Sequence, residues 1–299
     1  MRFKGLDLNL LAALDVLIEE RSVSRAAERL HLSQPSVSAA LARLRDYFND
    51  PLLEIQGKRM VPTARALQLV PMVKELLADV ETMIMQSRQF EPATSNRWFR
   101  ICVSDYLATV LVSRVVTMLQ REAPGIRFDL QQPSDATPRL LDLGELDLGL
   151  LPQQHCLHDH PMELLFEERH VIAGWSGNPL MSKPVTEEEF YAAGHVAVSI
   201  GQVNRASFAE NNLLARGRER RIEIRASSFV MVPELLTGTD RLAVMHERLA
   251  QTLATRHPLA WCPLPFEFPL MREMIQYHRS RALDPGLQWL IGRLRAAAA

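Results

Sequence analysis

Apolar residues recur at helical spacing through the first 90 residues, and this pattern predicts a series of short helices. The first predicted helix covers residues 6–20. Ser22 is a typical N-cap for a second helix, Val23–Leu30, and Ser33 for a third that continues to about Phe48. Because three residues separate the last two helices, the pattern predicts a helix-turn-helix.

The pattern changes after Asn49-Asp50-Pro51, which ends the third helix. Leu52–Pro62 contains two short extended pieces and predicts a hairpin. A stripe of apolar residues then runs from Thr63 to Arg88, which is typical of a long helix that dimerises. The polar, proline-containing segment 90–96 indicates a domain boundary. We therefore predict a helix-turn-helix domain at 1–62, a dimerising linker helix at 63–91 and a third region at 92–299.

Strand-like and helix-like segments alternate beyond residue 92, which predicts an α/β fold. The first helix after a strand covers Tyr106–Glu122, and the last helix covers Pro285–Ala296. The predicted strands are Trp98–Ser104, Ile126–Gln131, Leu146–Leu151, His170–Trp175, His195–Ile200, Ile222–Ala226 and Arg241–Met245.

The charge of the chain is unevenly distributed. The 299 residues have a formal net charge of -1, but eight bases and four acids lie between Arg21 and Arg65, which leaves +4 there and favours contact with phosphates. The 3 cysteines are far apart, so we expect no disulfide framework and a cytoplasmic protein. We expect no cleaved leader and no membrane partner, since no apolar run approaches the roughly 18 residues of a membrane span.

The start of the third predicted helix carries groups that suit DNA. Ser33, Gln34, Ser36 and Ser38 are small or amide side chains at a helix N-terminus. Glutamine can make paired hydrogen bonds to adenine, serine can serve several bases, and the helix N-terminus attracts a phosphate. The spacing therefore predicts a helix that enters the major groove of operator DNA. Three packed helices without a ligand are the alternative interpretation.

The same residues carry a family resemblance. Leu8-Asn9-Leu10-Leu11, Ser24-Arg25-Ala26-Ala27-Glu28-Arg29-Leu30 and Leu32-Ser33-Gln34-Pro35-Ser36-Val37-Ser38 resemble LysR-type transcriptional regulators. The segments Gly57–Thr63 and Ala193–Val198 look most like the NodD branch, whose flavonoid-responsive members and relatives such as NahR and LinR answer to aromatic compounds. The resemblance covers the first 90 residues or so closely and the rest at the level of architecture.

The resemblance implies a winged helix-turn-helix, a dimerising linker helix and a two-lobed α/β effector domain similar to periplasmic binding proteins. It also implies a dimer of dimers on an interrupted palindrome, an aromatic inducer and, if the protein activates transcription, contact with RNA polymerase. Many members place an arginine where this chain has Ile55, and Arg59 is the expected substitute. The expected DNA-binding residues are Ser22, Ser33, Gln34, Pro35, Ser36, Ser38, Arg43, Lys58 and Arg59.

The effector site is expected beyond the carboxyl ends of strands, where doubly wound sheets bind ligands. In the resembled family the inducer lies between two lobes at such strand ends. The matching candidates are Ser104, Asp105, Tyr106, Leu151, Phe166, His170, Ile200, Gln202 and Asn204. Ser104 and Asp105 could instead only cap a helix, and Phe166 could belong to the core.

Two other functions remain open from the sequence. His155-Cys156-Leu157-His158-Asp159-His160 combines imidazoles and a thiolate that suit zinc, copper or nickel, which would make a metal-responsive regulator. A binding protein or enzyme with a vestigial DNA-binding domain is the second alternative. No glycine-rich phosphate loop, Gly-x-Ser-x-Gly elbow or His-Glu-x-x-His helix occurs, so we expect neither catalysis nor a cofactor.

Overall fold

A computed structural model describes residues 2–3, 6–56, 59–86, 90–200 and 205–298. The chain forms two compact units, residues 1–88 and residues 89–299. No helix in the described ranges is long and apolar enough to cross a lipid bilayer. The finer division at residues 62 and 91 stays a prediction.

The N-terminal unit consists of helices and a hairpin. Its helices are α1 (Leu8–Glu20), α2 (Val23–Leu30), α3 (Gln34–Phe48) and α4 (Ala64–Gln86). Its strands are β1 (Arg2–Phe3), β2 (Leu6–Asp7), β3 (Leu53–Gln56) and β4 (Arg59–Pro62), with β1 antiparallel to β2 and β3 to β4. The predicted helices and hairpin are all present, although the first helix begins at Leu8 rather than at residue 6.

The hairpin β3–β4, which we call the wing, is fixed to α3 at its base. The Arg45 guanidinium donates to the carbonyl oxygens of Pro51 at 2.7 Å and Leu53 at 2.8 Å. One Asp50 carboxylate oxygen accepts from the Leu52 N–H and from the Thr63 hydroxyl, both at 2.7 Å. These bonds satisfy backbone groups where the chain turns and hold the wing against α3.

The long helix α4 packs on α1 through a buried cation. Lys74 is 9% exposed, and its ammonium lies 2.6 Å from a Glu19 carboxylate oxygen and 3.5 Å from one of Asp15. Apolar residues of α4, among them Leu69 and Val73, complete the core beneath α1 and α3. Other apolar residues of α4 are exposed in the single chain, namely Leu67, Met72, Leu76 and Met83.

The C-terminal unit alternates strands and helices. Its strands are β5 (Trp98–Val103), β6 (Arg127–Gln131), β7 (Leu148–Pro152), β8 (Met162–Glu168), β9 (His170–Trp175), β10 (Gly194–Ile200), β11 (Arg205–Ala206), β12 (Arg221–Ala226), β13 (Leu242–His246), β14 (Leu259–Pro263) and β15 (Met271–Gln276). Its helices are α5 (Asp105–Leu107), α6 (Ser113–Glu122), α7 (Thr137–Asp142), α8 (Glu187–Ala192), α9 (Phe208–Ala215), α10 (Val232–Leu236), α11 (Glu247–Ala254) and α12 (Pro285–Ala298). A π-helical segment, Ala108–Val112, joins α5 to α6.

Two mixed sheets define two lobes. Lobe I has the strand order β6-β5-β7-β15-β8, and lobe II has the order β11-β10-β13-β9-β14, with β12 also paired to β10. The chain passes between them twice, from β8 to β9 through Arg169 and from β14 to β15 through residues 264–270. β8 pairs with β15 and β9 pairs with β14, so the strands that flank the two crossovers are neighbours in both sheets.

Among the described residues of the C-terminal unit, four strands were not predicted from the sequence, namely β8, β11, β14 and β15. β8 reads MELLFEE and β15 reads MREMIQ, so charged or amide side chains occupy positions that the fold buries, including Glu168, Glu273 and Gln276. β14 is short and ends in a proline. Sequence patterning relies on apolar residues in buried positions, and it therefore misses strands whose buried residues are polar.

Candidate functional site

The turn of the helix-turn-helix is formed by local backbone and side-chain bonds. α2 ends at His31, whose φ of 54° is in the left-handed region, and the Leu32 N–H donates to the Ala27 carbonyl oxygen at 2.9 Å. The Ser33 hydroxyl then accepts from the Ser36 N–H at 3.3 Å and caps α3. These bonds end one helix and begin the next within three residues.

The outer face of α3 carries the predicted base-reading residues. Ser33, Gln34, Pro35, Ser36 and Ser38 are all exposed, and the Ser33 and Ser36 hydroxyls lie 2.7 Å apart. The opposite face buries Val37, Leu41 and Leu44 in the core of the unit. The helix is therefore held from behind and presents small polar groups to solvent, which is the arrangement that a groove-reading helix requires.

The remaining predicted DNA-binding residues differ in how exposed they are, and some lie outside the described residues. Ser22 is partly buried and caps α2, its hydroxyl accepting from the Arg25 N–H at 3.4 Å. Arg43 is exposed on α3, and its guanidinium lies 3.9 Å from an Asp7 carboxylate oxygen. Lys58 lies outside the described residues, as does the side chain of Arg59, whose backbone belongs to β4. Ile55 on the wing is 77% exposed.

A cavity of about 310 Å³ lies between the two lobes of the C-terminal unit, within the range typical of small-molecule sites. Lobe I supplies small polar and apolar groups, including Ser104, Ser134, Thr137, Leu151, Gln154 and Cys156. Lobe II supplies an apolar and aromatic side, formed by Ile200, Phe208, Phe229 and His246. Met271 and Glu273 of β15 complete the wall.

Stacked rings form one side of the cavity. The Tyr106 ring of lobe I lies parallel to the His246 ring of lobe II, with 3.7 Å between their centroids, and Phe229 meets His246 edge-on at 4.7 Å. Burial and the neighbouring His170 hold the pKa of His246 well below its usual value, so the ring is neutral at pH 7. Flat, uncharged rings of this kind suit contact with another aromatic ring.

A buried carboxylate at the first crossover connects the lobes. The Tyr106 hydroxyl donates to Glu168 at 2.5 Å, and the N–H of Arg248 at the start of α11 donates to the same carboxylate at 3.2 Å. Burial raises the pKa of Glu168, while these bonds and the Arg248 charge oppose the rise. Burial and Glu168 also raise the pKa of Tyr106, which keeps its hydroxyl protonated as a donor. Tyr106 and Glu168 are each 1% exposed, so the pair is shielded from water.

Glu273 is a second buried carboxyl group at the cavity, and sequence reasoning missed it. The residue lies at an irregularity in the pairing of β15 with β8, between Glu273 and Met274. It is 1% exposed, and its Oε2 has no hydrogen-bond partner among the described residues. Burial and the nearby Glu168 raise its pKa to about 8. Bulges re-aim side chains, which is how a charged residue in a strand comes to line a cavity.

The sequence matches two family descriptions that agree with this geometry. Residues 8–67 match "Bacterial regulatory helix-turn-helix protein, lysR family", and residues 93–299 match "LysR substrate binding domain". The chain belongs to the LysR family. The chain is thus a LysR-type transcriptional regulator with a DNA-binding helix-turn-helix and an effector-binding domain, and the predicted fold is confirmed.

Curated relatives of this LysR-type regulator are nodulation proteins. Nodulation protein D 2 of Rhizobium tropici is 41% identical over 290 residues, which cover 97% of this chain and 92% of the relative. Nodulation protein D 1 of Rhizobium leguminosarum bv. phaseoli is 43% identical over 277 residues, covering 93% and 88%. These relatives confirm the predicted resemblance to the NodD branch.

Solved structures confirm the architecture. A probable transcriptional regulator from Pseudomonas aeruginosa superposes with a TM-score of 0.66 at 29% identity, and the match covers 98% of each chain. A full-length OxyR variant from the same species gives a TM-score of 0.75 at 17% identity, covering 98% of this chain and 94% of that one, and shows the fold alone. The likeness to periplasmic binding proteins is one of architecture.

The structure places the predicted effector residues in three groups. Ser104, Tyr106, Leu151 and Ile200 line the cavity between the lobes. Gln202 and Asn204 lie outside the described residues. Asp105, Phe166 and His170 are buried or paired elsewhere, and each has a physical reason to be so.

Asp105 pairs across the lobes instead of facing the cavity. One of its carboxylate oxygens accepts from the Ser228 hydroxyl at 2.7 Å and from the Val230 N–H at 3.2 Å, both in lobe II. Its other oxygen accepts from the Tyr106 N–H at 2.9 Å. Asp105 therefore fastens lobe I to lobe II, a role that the sequence did not predict.

Phe166 and His170 belong to the packing behind the cavity. Phe166 is 8% exposed within the core, and the Arg248 guanidinium lies 4.3 Å from its ring centroid. Phe166 therefore belongs to the core, which is the alternative that the sequence left open. His170 is 7% exposed, burial holds its pKa at about 3, and its ring stacks on Phe208 at 5.4 Å. It supports a wall residue from the far side.

The histidine-rich segment does not assemble a metal site. His155 lines the cavity, His158 is exposed, and His160 is buried against His278 with 4.6 Å between ring centroids. Within the described ranges, no group of three or more histidine, cysteine, aspartate or glutamate side chains is placed to hold a metal ion. The family and the relatives support the regulator rather than the metal-responsive or enzymatic alternatives.

Proposed function

We propose that this LysR-type regulator binds operator DNA as a homo-oligomer in the cytoplasm and responds to a small aromatic inducer held between its lobes. The observation that carries the ligand class is the side of the cavity formed by Tyr106, His246 and Phe229, whose rings contact one another. A flavonoid or simple phenol presents flat faces to such a wall and hydroxyl groups to the serine and glutamine side chains opposite.

The recognition helix reads the DNA through Gln34, Ser36 and Ser38. Their exposure in the N-terminal turns of α3 supports this assignment. Ser33, Arg43, Lys58 and Arg59 hold the backbone of the duplex, and the helix N-terminus adds attraction for a phosphate. Ser22 and Pro35 complete the proposed set of DNA-binding residues.

The proposed oligomer is a dimer of dimers. The exposed apolar residues of α4, such as Leu67 and Met72, support a dimerising role for this helix. Two recognition helices held in this way would contact two half-sites of an interrupted palindrome. An activating form would also contact RNA polymerase.

Two measurements test the proposal. A gel-shift assay with DNA from upstream of the protein's own gene should show a salt-sensitive, sequence-selective shift. A thermal-shift screen of flavonoids, salicylates, hydroquinones and nitrophenols should find a compound that raises the melting temperature with concentration, since stabilisation grows as RT ln(1 + [L]/Kd). Absence of the shift contradicts the DNA-binding role. Absence of any stabilising compound contradicts the aromatic inducer.

A further inference from the structure

One carboxyl oxygen of Glu273, a residue of the cavity wall, has no hydrogen-bond partner within the described ranges. The residue lines the wall beside Met271, and its Oε2 is buried with no hydrogen-bond donor or acceptor among the described residues. A buried polar atom without a hydrogen-bond partner is destabilising, so such groups in native proteins call for an explanation. A ligand that fills the cavity and hydrogen-bonds the carboxyl group would supply the missing partner.

The charge of the cavity wall restricts which ligand this is. No lysine or arginine side chain lines the cavity in the described part of the chain, while Asp135 and Glu273 are acids. His246 is neutral, because its pKa is depressed by burial. An aromatic carboxylate would therefore lose its hydration without meeting a cation in return.

We propose that Glu273 is the polar anchor of the inducer site: its carboxyl group hydrogen-bonds a hydroxyl or keto oxygen of an uncharged aromatic ligand and discriminates against aromatic carboxylates. This inference rests on the proposed function, since it specifies the ligand of the same cavity. The inference favours phenols and flavonoids over salicylate-like acids as ligands, whereas the sequence predicted only an aromatic inducer.

The protonation state of Glu273 agrees with this role. Burial and the Glu168 carboxylate raise its pKa to about 8, so the carboxyl group is mainly neutral at pH 7. A neutral carboxylic acid both donates and accepts one hydrogen bond, which matches a ligand oxygen of either kind. The other titratable groups coupled to Glu273 are Tyr106 and Cys156, and burial raises the pKa of both, so both stay uncharged.

The test is titration calorimetry on the full-length protein with apigenin, hydroquinone, salicylamide and salicylate. Salicylamide and salicylate form a matched pair that differs in charge but hardly in size. We expect the wild-type protein to bind salicylamide at least about tenfold more tightly than salicylate, because an uncompensated charge costs more than one hydrogen bond. Equal affinity for the pair overturns the proposal.

Two variants of Glu273 separate hydrogen bonding from packing. Glu273→Gln keeps a donor and an acceptor and should bind apigenin within about threefold of wild type, whereas Glu273→Leu should lose about tenfold. Glu167→Gln, on an exposed neighbour in β8, is the control and should leave affinity unchanged. Unchanged affinity of Glu273→Leu for apigenin overturns the anchor.

A measurement without ligand tests the protonation state of Glu273 independently. Infrared difference spectra of wild type against Glu273→Gln at neutral pH should show the carbonyl band of a protonated carboxylic acid, and a carboxylate band there overturns the proposal.

Failure of the Glu273 proposal can be distinguished from failure of the proposed function. A protein that shifts its upstream DNA but binds none of the four compounds overturns the aromatic ligand and its anchor, whereas loss of the DNA shift overturns the proposed regulator itself.

Discussion

The recognition helix and the cavity between the lobes place their chemistry in opposite ways. Gln34, Ser36 and Ser38 are exposed, lie within five consecutive residues and are held by a core behind them. Tyr106, His246 and Glu273 are almost fully buried and come from three distant parts of the chain. In the recognition helix the functional side chains lie on the surface of a stable helix. At the cavity the functional side chains are part of the core.

This difference predicts how substitutions behave. Removing an exposed side chain of α3 should change DNA recognition and leave the free energy of unfolding almost unaltered, since surface substitutions usually stay within about 0.5 kcal/mol. Removing a buried polar group at the cavity should change both stability and ligand response.

The largest effect is expected for Glu168→Ala. This change leaves the buried Tyr106 hydroxyl without its acceptor and the Arg248 N–H without its carboxylate. We expect a loss of about 3 kcal/mol in the free energy of unfolding, measured by urea denaturation, as for other broken buried pairs. Glu167→Ala is the matched control, because Glu167 is half-exposed and its pairing with Arg272 is loose at 3.8 Å. Equal destabilisation by both changes would contradict the buried network.

The next effect is a pH dependence caused by Glu273. Its pKa is about 8 in the folded chain against 4.5 for an ordinary glutamate, so between these values only the folded state keeps the proton. Stability should therefore fall as pH rises through this window, by at most about 1.4 kcal/mol per pH unit. Glu273→Gln should remove the slope.

The measurement is urea denaturation of both proteins between pH 6.5 and pH 8. Buried His170 and His246 have lowered pKa values, so their contribution is lost below the ordinary histidine value of 6.5 and does not interfere above it. The difference between wild type and Glu273→Gln isolates the carboxyl group. Parallel stability curves would show that Glu273 is already ionised when folded.

The contrast between the two regions also explains what the sequence could predict. Ser22 and Ser33 act on backbone groups three residues away, so cap, turn and helix are visible in a short window. Ser104, which caps α5 and lines the cavity, could be predicted from the sequence for the same reason. Local bonding of this kind is recorded in the local sequence.

The cavity depends on contacts between residues that are far apart in the sequence, so no short sequence window contains both partners. Tyr106 and Glu168 are separated by 62 positions, and Glu273 reaches the wall through an irregular pairing of β15. Phe166 was expected at the ligand because it is an aromatic residue near a strand end, but the strand turns it into the core. Composition could have raised one suspicion, since acids inside the strands MELLFEE and MREMIQ need a reason to be buried.

A smaller effect is expected for Gln34→Ala. Loss of a side chain that pairs with a base should reduce discrimination at one base position by about 1–3 kcal/mol and leave the melting temperature unchanged. Binding to a set of single-base operator variants measures it. An equal loss of affinity for all operator variants would show that Gln34 contacts the DNA backbone rather than a base.

The smallest effect is expected for Arg43→Ala, and it should be uniform. An exposed guanidinium that neutralises one phosphate contributes about one unit to the slope of log K against log salt concentration, so its loss should lower the slope by about 1 for every sequence alike. Arg43→Lys should keep the slope. The measurement is a salt titration of operator and non-operator DNA.

The neighbouring Asp7 provides an independent check on Arg43. One of its carboxylate oxygens lies 3.9 Å from the Arg43 guanidinium and competes with a phosphate for the same cation. Its other carboxylate oxygen accepts from the Asn9 N–H at 3.1 Å and caps α1. Asp7→Asn removes the charge and keeps an acceptor for the cap. It should therefore tighten binding to all DNA slightly in the wild-type protein and have no effect in the Arg43→Ala background, because the competition exists only while the arginine is present. An equal gain in both backgrounds would show that Asp7 repels DNA directly and that Arg43 is not the group it restrains.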